Sequence, residues 1–190
     1  MDKNQAKIRF NCNNSHPVLT ILGGSQGSVP INLHFQEHYS HYTDLGIQIL
    51  WQCGKNEYDG LKETVDNNNV HLIPFSDDMG ALYSASDLIV SRAGALALSE
   101  MSFMGKAMVL VPFPYSAGDH QVKNALAFSN VGAAILLPQS LLESGELEKT
   151  VLELFQNPEK IQTMEEKSVQ MAAPDATENI ISTIMEIAKS

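Results

Sequence analysis

Six short apolar runs recur along the chain with helix-forming stretches between them, and no other feature restricts the fold as much. The runs fall at 18–22, 47–51, 70–75, 88–90, 107–111 and 133–137. VLTIL, LIV and AMVLV are apolar throughout rather than alternating, as expected of parallel strands covered by helices on both faces. Candidate helices occupy about 29–43, 56–66, 77–85, 94–104, 119–129 and 139–156. This order predicts an α/β fold, a Rossmann-like doubly wound parallel sheet of about six strands. Two more helices, at about 158–173 and 175–188, follow the last run as a C-terminal tail (158–190), split where Pro174 interrupts the pattern. Residues 1–16 are polar and Asn-rich and read as a helical turn or loose lead-in, leaving 17–157 as the domain proper.

Charge narrows the partners. Twelve Lys and Arg against 22 Asp and Glu give a net charge of −10, and the only arginines are Arg9 and Arg92. There is no basic stripe for nucleic-acid phosphates and no polybasic patch for anionic lipid. Cys12 and Cys53 lie far apart without zinc-type spacing and read as free thiols. The start lacks a signal-like apolar segment, and no apolar run approaches the ~18 residues of a membrane span. A soluble, cytoplasmic chain is expected.

In open α/β sheets, ligands bind outside the carboxyl ends of the strands, where strand order reverses. The loops to inspect are therefore 23–28, 52–55, 76–79, 91–95 and 112–121. The first reads Gly23-Gly24-Ser25-Gln26-Gly27-Ser28 and opens a helix. Glycines allow a tight turn and close approach, and a helix start offers unpaired N–H groups and the positive dipole end to an anion. Tight packing alone would also explain such a turn. The spacing is neither a Walker loop nor G-x-G-x-x-G, and the second strand ends in Trp51-Gln52-Cys53-Gly54 without the acid that holds a dinucleotide ribose. A nicotinamide or flavin cofactor is disfavoured.

At about 100° per residue, Glu100 falls in the apolar sector of the 94–104 helix, between Leu96 and Met104 and near Phe103 and Ala97. An unpaired buried carboxylate costs several kcal/mol, so Glu100 either reaches a pocket rim, where vicinal ribose hydroxyls could donate to it, or has donors of its own. A solvated glutamate in an imperfect stripe is the plainer alternative. Arg92 could pair with Glu100 or face a phosphate. After the fifth run, prolines stop the strand, Gly118 permits a turn and Asp119 is a plausible N-cap. His120, Gln121 and Asn124 then present groups suited to sugar hydroxyls and an acetamido group, or serve only as local caps. His34, His38 and His41 share a helix face that reads as solvated surface, so no metal site is expected; the eight methionines read as core filler.

Taken in order, GGSQG, GIQILWQCGK, PFSDDM, SDLIVSRAGALALSEMSFMGKAMVLVPFP and DHQVKNA resemble the C-terminal half of the MurG family. These are bacterial UDP-N-acetylglucosamine transferases of peptidoglycan lipid-intermediate synthesis, glycosyltransferases of the two-domain GT-B type. The resemblance runs from about residue 4 to the C-terminus. It implies that Gly24, Ser25, Gln26 and Gly27 hold the donor diphosphate, and that Phe75 and Ser76, with Met79 beside them, flank uracil while the Ser76 backbone bonds the base. It places Ala95, Leu96, Ala97, Leu98, Ser99 and Glu100 along the nucleotide, with Glu100 on the ribose hydroxyls and Arg92 among the donor contacts. Gln121, helped by His120 and Asn124, would read the GlcNAc.

The resemblance further implies an inverting transfer of GlcNAc from UDP-GlcNAc to a lipid-linked muramoyl acceptor, on an enzyme peripheral to the cytoplasmic face of the inner membrane. A preceding acceptor domain, in the same or a separate chain, would carry the lipid contact and the base; no catalytic residue is expected here and no membrane insertion by this chain. No cofactor is expected to bind tightly, although Mg²⁺ could ride on the diphosphate. Alternative expectations are a donor-binding subunit of a split transferase and half of a UDP-sugar epimerase.

Overall fold

In a computed structural model, residues 1–172 and residues 181, 184 and 185 are described. The break expected at Pro174 and most of the 175–188 helix lie outside them. The order is α1 (Lys3–Arg9), β1 (Val18–Leu22), α2 (Val29–Thr43), β2 (Gln48–Gln52), α3 (Lys55–Thr64), β3 (Val70–Ile73) and α4 (Met79–Ala85). It continues through β4 (Leu88–Ser91), α5 (Ala95–Phe103), β5 (Met108–Leu110), α6 (His120–Asn130), β6 (Ala134–Leu136), α7 (Glu146–Phe155) and α8 (Pro158–Gln170). Short 3₁₀ segments, Ala117–Asp119 and Gln139–Ser144, precede α6 and α7.

The sheet order is β3-β2-β1-β4-β5-β6, and every described pair is parallel. Its direction of growth reverses between β1 and β4, so the crevice for a ligand opens between the loops that leave those two strands. Each strand feeds both layers. Leu19, Ile21, Ile49, Trp51, Val90 and Val109 pack with Ile31 and Phe35 of α2 and Val151 of α7. Val18, Leu22, Leu50, Ile89 and Met108 pack with Leu82 of α4, Met101 of α5 and Phe128 of α6. Such two-sided burial is why the strands read as unbroken apolar runs.

The lead-in is more structured than a loose segment. Asp2 caps α1 by accepting from the Gln5 amide at 3.0 Å, and the helix packs on α4, where Arg9 pairs with Asp78 at 2.6 Å. Lys3 and Lys7 both reach Asp87, whose second oxygen accepts from the Val18 amide at 2.7 Å. Pro30 sits in the first turn of α2, where its missing N–H costs no helical bond. Only the second part of the expected 139–156 helix is α-helical, because Gly145 turns left-handed at φ 79° between the two parts. The following α8 packs on α5 and α7. No described helix is long and apolar enough to cross a membrane.

Candidate functional site

Two glycine turns interlock at the carboxyl edge of β1 and β2. Gly24 and Gly27 have φ of 90° and 80°, and Gly54, after β2, has φ of 91°. A Cβ at Gly27 would strike the Cys53 carbonyl, and one at Gly54 the Gln26 carbonyl, so this approach admits only hydrogen at either position. Asn32, buried on α2, donates to the Cys53 carbonyl at 2.8 Å and accepts from the Trp51 indole at 3.0 Å. No local pattern in the sequence singles out Asn32 for this clamp, since His34 and Thr43 on the same helix are also polar and buried. The result fixes Gly24, Ser25 and Gln26 as an exposed crest in front of α2.

Beneath the crest lies Arg92. Its guanidinium donates to the Ser28 hydroxyl at 2.7 Å, the Val111 carbonyl at 3.0 Å and the Gln139 side chain at 2.7 Å. It does not pair with Glu100, contrary to one sequence expectation, and no described carboxylate lies within salt-bridge distance of it. The residue is 8% exposed, and burial lowers its pKa to about 10, so the group is charged at neutral pH. Ser28 occupies the N-cap position of α2 but makes no side-chain cap. The helix start and the buried cation thus add positive potential at one loop of a chain that is acidic as a whole.

Across the switch point, α5 corrects the helical-wheel picture. Its buried face is Leu98, Met101 and Ser102, whereas Leu96 is 75% and Phe103 66% exposed. The apolar sector that holds Glu100 therefore faces outward. Glu100 lies half-buried in a groove of about 350 Å³ between α4 and α5, with Met79, Tyr83 and Phe103. Tyr83, buried in α4, donates its hydroxyl to Glu100 Oε2 at 2.9 Å. Burial first, and the neighbouring carboxylate second, raise the Tyr83 pKa, so the phenol stays a donor. Both expectations for the glutamate, a rim position and a dedicated donor, hold together. Leu98 departs from its expected place: its side chain is in the core and cannot lie along a ligand. Ala95, Leu96 and Ser99 are exposed, with Ala97 half-buried.

The base and sugar loops are also partly committed. Ser76 is buried and its amide donates to Gln52 Oε1 at 2.9 Å, so of its backbone groups only the carbonyl remains for a ligand. Phe75 is exposed, with the Lys55 ammonium over its ring. Gln121 accepts from the Phe113 amide at 3.0 Å, which leaves its NH₂ free, and Asn124 donates to the Ala93 carbonyl at 3.1 Å, which leaves its oxygen free. Asp119 does not cap α6. Its backbone is left-handed at φ 56° and the Ser116 hydroxyl accepts from the Gln121 amide instead. His120 is exposed and its Nδ1 meets the Ala117 carbonyl at 2.8 Å rather than a carboxylate. Both cysteines are free, and burial pushes their thiols up to about 11, which makes them inert. A separate cleft at the amino ends of the strands, between α8 and Asp87, lies away from the loops that leave β1 and β4.

The strand order, the glycine crest and the loops after β1 and β4 define the Rossmann-like C-terminal domain architecture of a GT-B glycosyltransferase. The chain belongs to the glycosyltransferase family 28 C-terminal domain family, whose model matches residues 18–180. It is 42% identical over 171 residues, 90% of the chain and 46% of the relative, to a UDP-N-acetylglucosamine–N-acetylmuramyl-(pentapeptide) pyrophosphoryl-undecaprenol N-acetylglucosamine transferase of Cytophaga hutchinsonii. A transferase of the same name from Chlorobium phaeobacteroides is 35% identical over 191 residues, 100% of the chain and 52% of the relative. The chain thus spans about half the length of these relatives. The crystal structure of Acinetobacter baumannii MurG matches 95% of the chain and 53% of its own with a TM-score of 0.77 at 27% identity. A UDP-GlcNAc 2-epimerase from Neisseria meningitidis matches 97% of the chain and 48% of its own with a TM-score of 0.67 at 19% identity, a likeness of fold.

Proposed function

We propose that this chain is the donor-binding half of an inverting transferase that moves GlcNAc from UDP-GlcNAc to a lipid-linked muramoyl acceptor in peptidoglycan synthesis. The observation that carries the reading is the crest of Gly24, Ser25, Gln26 and Gly27 over a buried, carboxylate-free Arg92, with a tyrosine-held Glu100 across the switch point. The crest amides and the start of α2 take the diphosphate, where negative charge accumulates as the sugar departs. Arg92 acts from below through Ser28. Glu100 accepts from the ribose hydroxyls with the oxygen that Tyr83 leaves free, Ser76 offers its carbonyl to the base, and the Gln121 NH₂ and Asn124 oxygen read the sugar.

The acceptor hydroxyl must lose a proton, and His120 is not oriented by a carboxylate. The base is therefore assigned to an acceptor half, in the same or a separate chain, working at the cytoplasmic face of the membrane. No cluster of cation ligands among the described residues borders the crest. A divalent ion that takes part there rides on the diphosphate.

Calorimetry with UDP, UMP and the 2′-deoxy analogue of UDP tests the assignment. UDP binds at least tenfold more tightly than UMP, and the wild type prefers UDP to its deoxy analogue, a preference that Glu100→Ala abolishes. Equal affinity for UDP and UMP, or an undiminished ribose preference in Glu100→Ala, overturns it.

A further inference from the structure

Away from the crest, α2 and α7 bring together a cluster that the donor reading does not use. His34 and His38, one turn apart on α2, face Glu148 of α7, and one ligand atom from each lies within 4.8 Å of the others. His34 Nε2 is 3.7 Å from Glu148 Oε2, and His38 Nδ1 is 3.6 Å from Oε1. These are too long for hydrogen bonds. His34 is only 4% exposed, and both its Nε2 and Glu148 Oε2 are buried without any hydrogen-bond partner. Two buried polar atoms aimed at one point and unsatisfied there are costly, since each forfeits its water without replacement.

We propose that His34, His38 and Glu148 form a binding site for a divalent transition cation of the zinc class. Two imidazoles and one carboxylate are a donor set that zinc takes at about 2.0–2.2 Å, which sets ligand-to-ligand edges near 3.3 Å. The observed separations need to close by about 0.3–1.5 Å, within the reach of side-chain adjustment on two packed helices. The fourth position opens on a cavity of about 710 Å³ that His34, Glu37, His38, Tyr115, Gln139 and Glu143 help to line. Glu37 and Glu143 add negative charge at its mouth. The ion ties α7 to the helix whose first turn carries the glycine crest. The sequence shows only the histidine half of the cluster, because Glu148 lies more than a hundred residues further on.

Tag-free chain stripped with chelator and titrated with Co²⁺ tests the site, followed by Zn²⁺ displacement and calorimetry. The expected result is one saturable ion per chain, a tetrahedral ligand-field band that Zn²⁺ erases, and a rise in Tm of roughly 5–10 °C at a hundredfold excess over Kd. His38→Ala, at a half-exposed position that folding tolerates, weakens binding at least tenfold. Glu148→Gln does the same, its melt without metal showing that it folds. His41→Ala, whose ring stacks on His38 from the outer side, leaves binding unchanged. Absence of saturation below millimolar metal, unaltered affinity in His38→Ala, or loss of binding in His41→Ala overturns the proposal, the last by showing a surface histidine pair instead.

Discussion

Replacing Gly27 and Gly24 by alanine, one at a time, separates backbone strain from steric exclusion at the crest. Both residues are left-handed, at φ 80° and 90°, so either alanine incurs about 1–2 kcal/mol of strain. Either also stiffens the unfolded chain, which offsets about 0.4–1 kcal/mol. These terms cancel when the two variants are compared. What differs is space. A Cβ at Gly24 meets nothing within 4 Å, whereas one at Gly27 sits 2.9 Å from the Cys53 carbonyl carbon, closer still to its oxygen, and 3.2 Å from the Gly54 Cα. Carbon pairs rest at about 3.5–4.0 Å, so the two turns must part by at least ~0.6 Å. That movement pulls the Cys53 carbonyl off the Asn32 amide, a buried bond whose loss costs about 1–3 kcal/mol. Gly27→Ala is therefore less stable than Gly24→Ala by about 1–3 kcal/mol, or roughly 2–12 °C in Tm for a domain of this size. Urea denaturation followed by circular dichroism, with equal slopes for both variants, measures the gap. Coincident midpoints, or a lower one for Gly24→Ala, would refute the interlocked-turn argument.

Arg92→Met leaves the Ser28 hydroxyl, Val111 carbonyl and Gln139 side chain without their shared donor and costs about 3 kcal/mol or more by urea denaturation; Arg92→Lys, which cannot fork to all three, recovers less than half. A loss under 1 kcal/mol for the methionine variant contradicts the assigned role. Tyr83→Phe removes the donor that orients Glu100, costing about 1–2 kcal/mol of stability and several-fold in UDP affinity by calorimetry. Unchanged affinity shows that Glu100 needs no such clamp. Asp87 supplies a pH test. Burial pushes its carboxyl up, but Lys3, the Val18 amide and Lys7 together hold it below the ordinary 3.8. Folding therefore favours the ionised form, and the stabilisation is complete above about pH 4 and lost as pH falls through the lower folded value. The gap between wild type and Asp87→Asn in denaturation midpoint should stay constant from pH 7 to about 5 and narrow below pH 4; a gap that widens there inverts the assigned sign.

The strands were readable because a parallel sheet buries both faces, so local composition and tertiary environment agree over each run. Helix α2 was readable for a different reason: Pro30 falls where a helix start accepts it. Agreement fails where a partner is distant. Helix α1 has polar, Asn-rich surroundings and owes its order to Asp87 and Asp78, which no local pattern announces. Arg92 could not be placed from its neighbours, since its three acceptors lie 64, 19 and 47 residues away. On α5 the failure is more instructive. Periodicity located an apolar sector and the wheel assumed that it points inward, but the core takes Leu98, Met101 and Ser102 instead. Composition identifies a face without saying what covers it; Leu98, which the resemblance rather than the wheel put along a ligand, turns its side chain into the core.

The outward turn of α5 also bears on how the domain works. Leu96 and Phe103 flank Glu100, and Phe75, Phe113 and Tyr115 are exposed on loops after β3 and β5, so large apolar side chains recur around polar groups at the carboxyl edge. Scattered exposed apolar residues are ordinary, but a concentration at the edge where the strand order reverses marks a surface meant to be covered. The covering matters for catalysis as well as for affinity. On the proposed donor reading, the buried guanidinium and the helix start would act on a bound diphosphate through whatever medium lies between, and removing water from that space would strengthen both. A crest that stays open to solvent can hold a nucleotide, whereas stabilising a departing diphosphate needs the same crest enclosed. On the proposed donor reading, binding and turnover would thus place different demands on one set of residues, and the exposed apolar rim would serve the second.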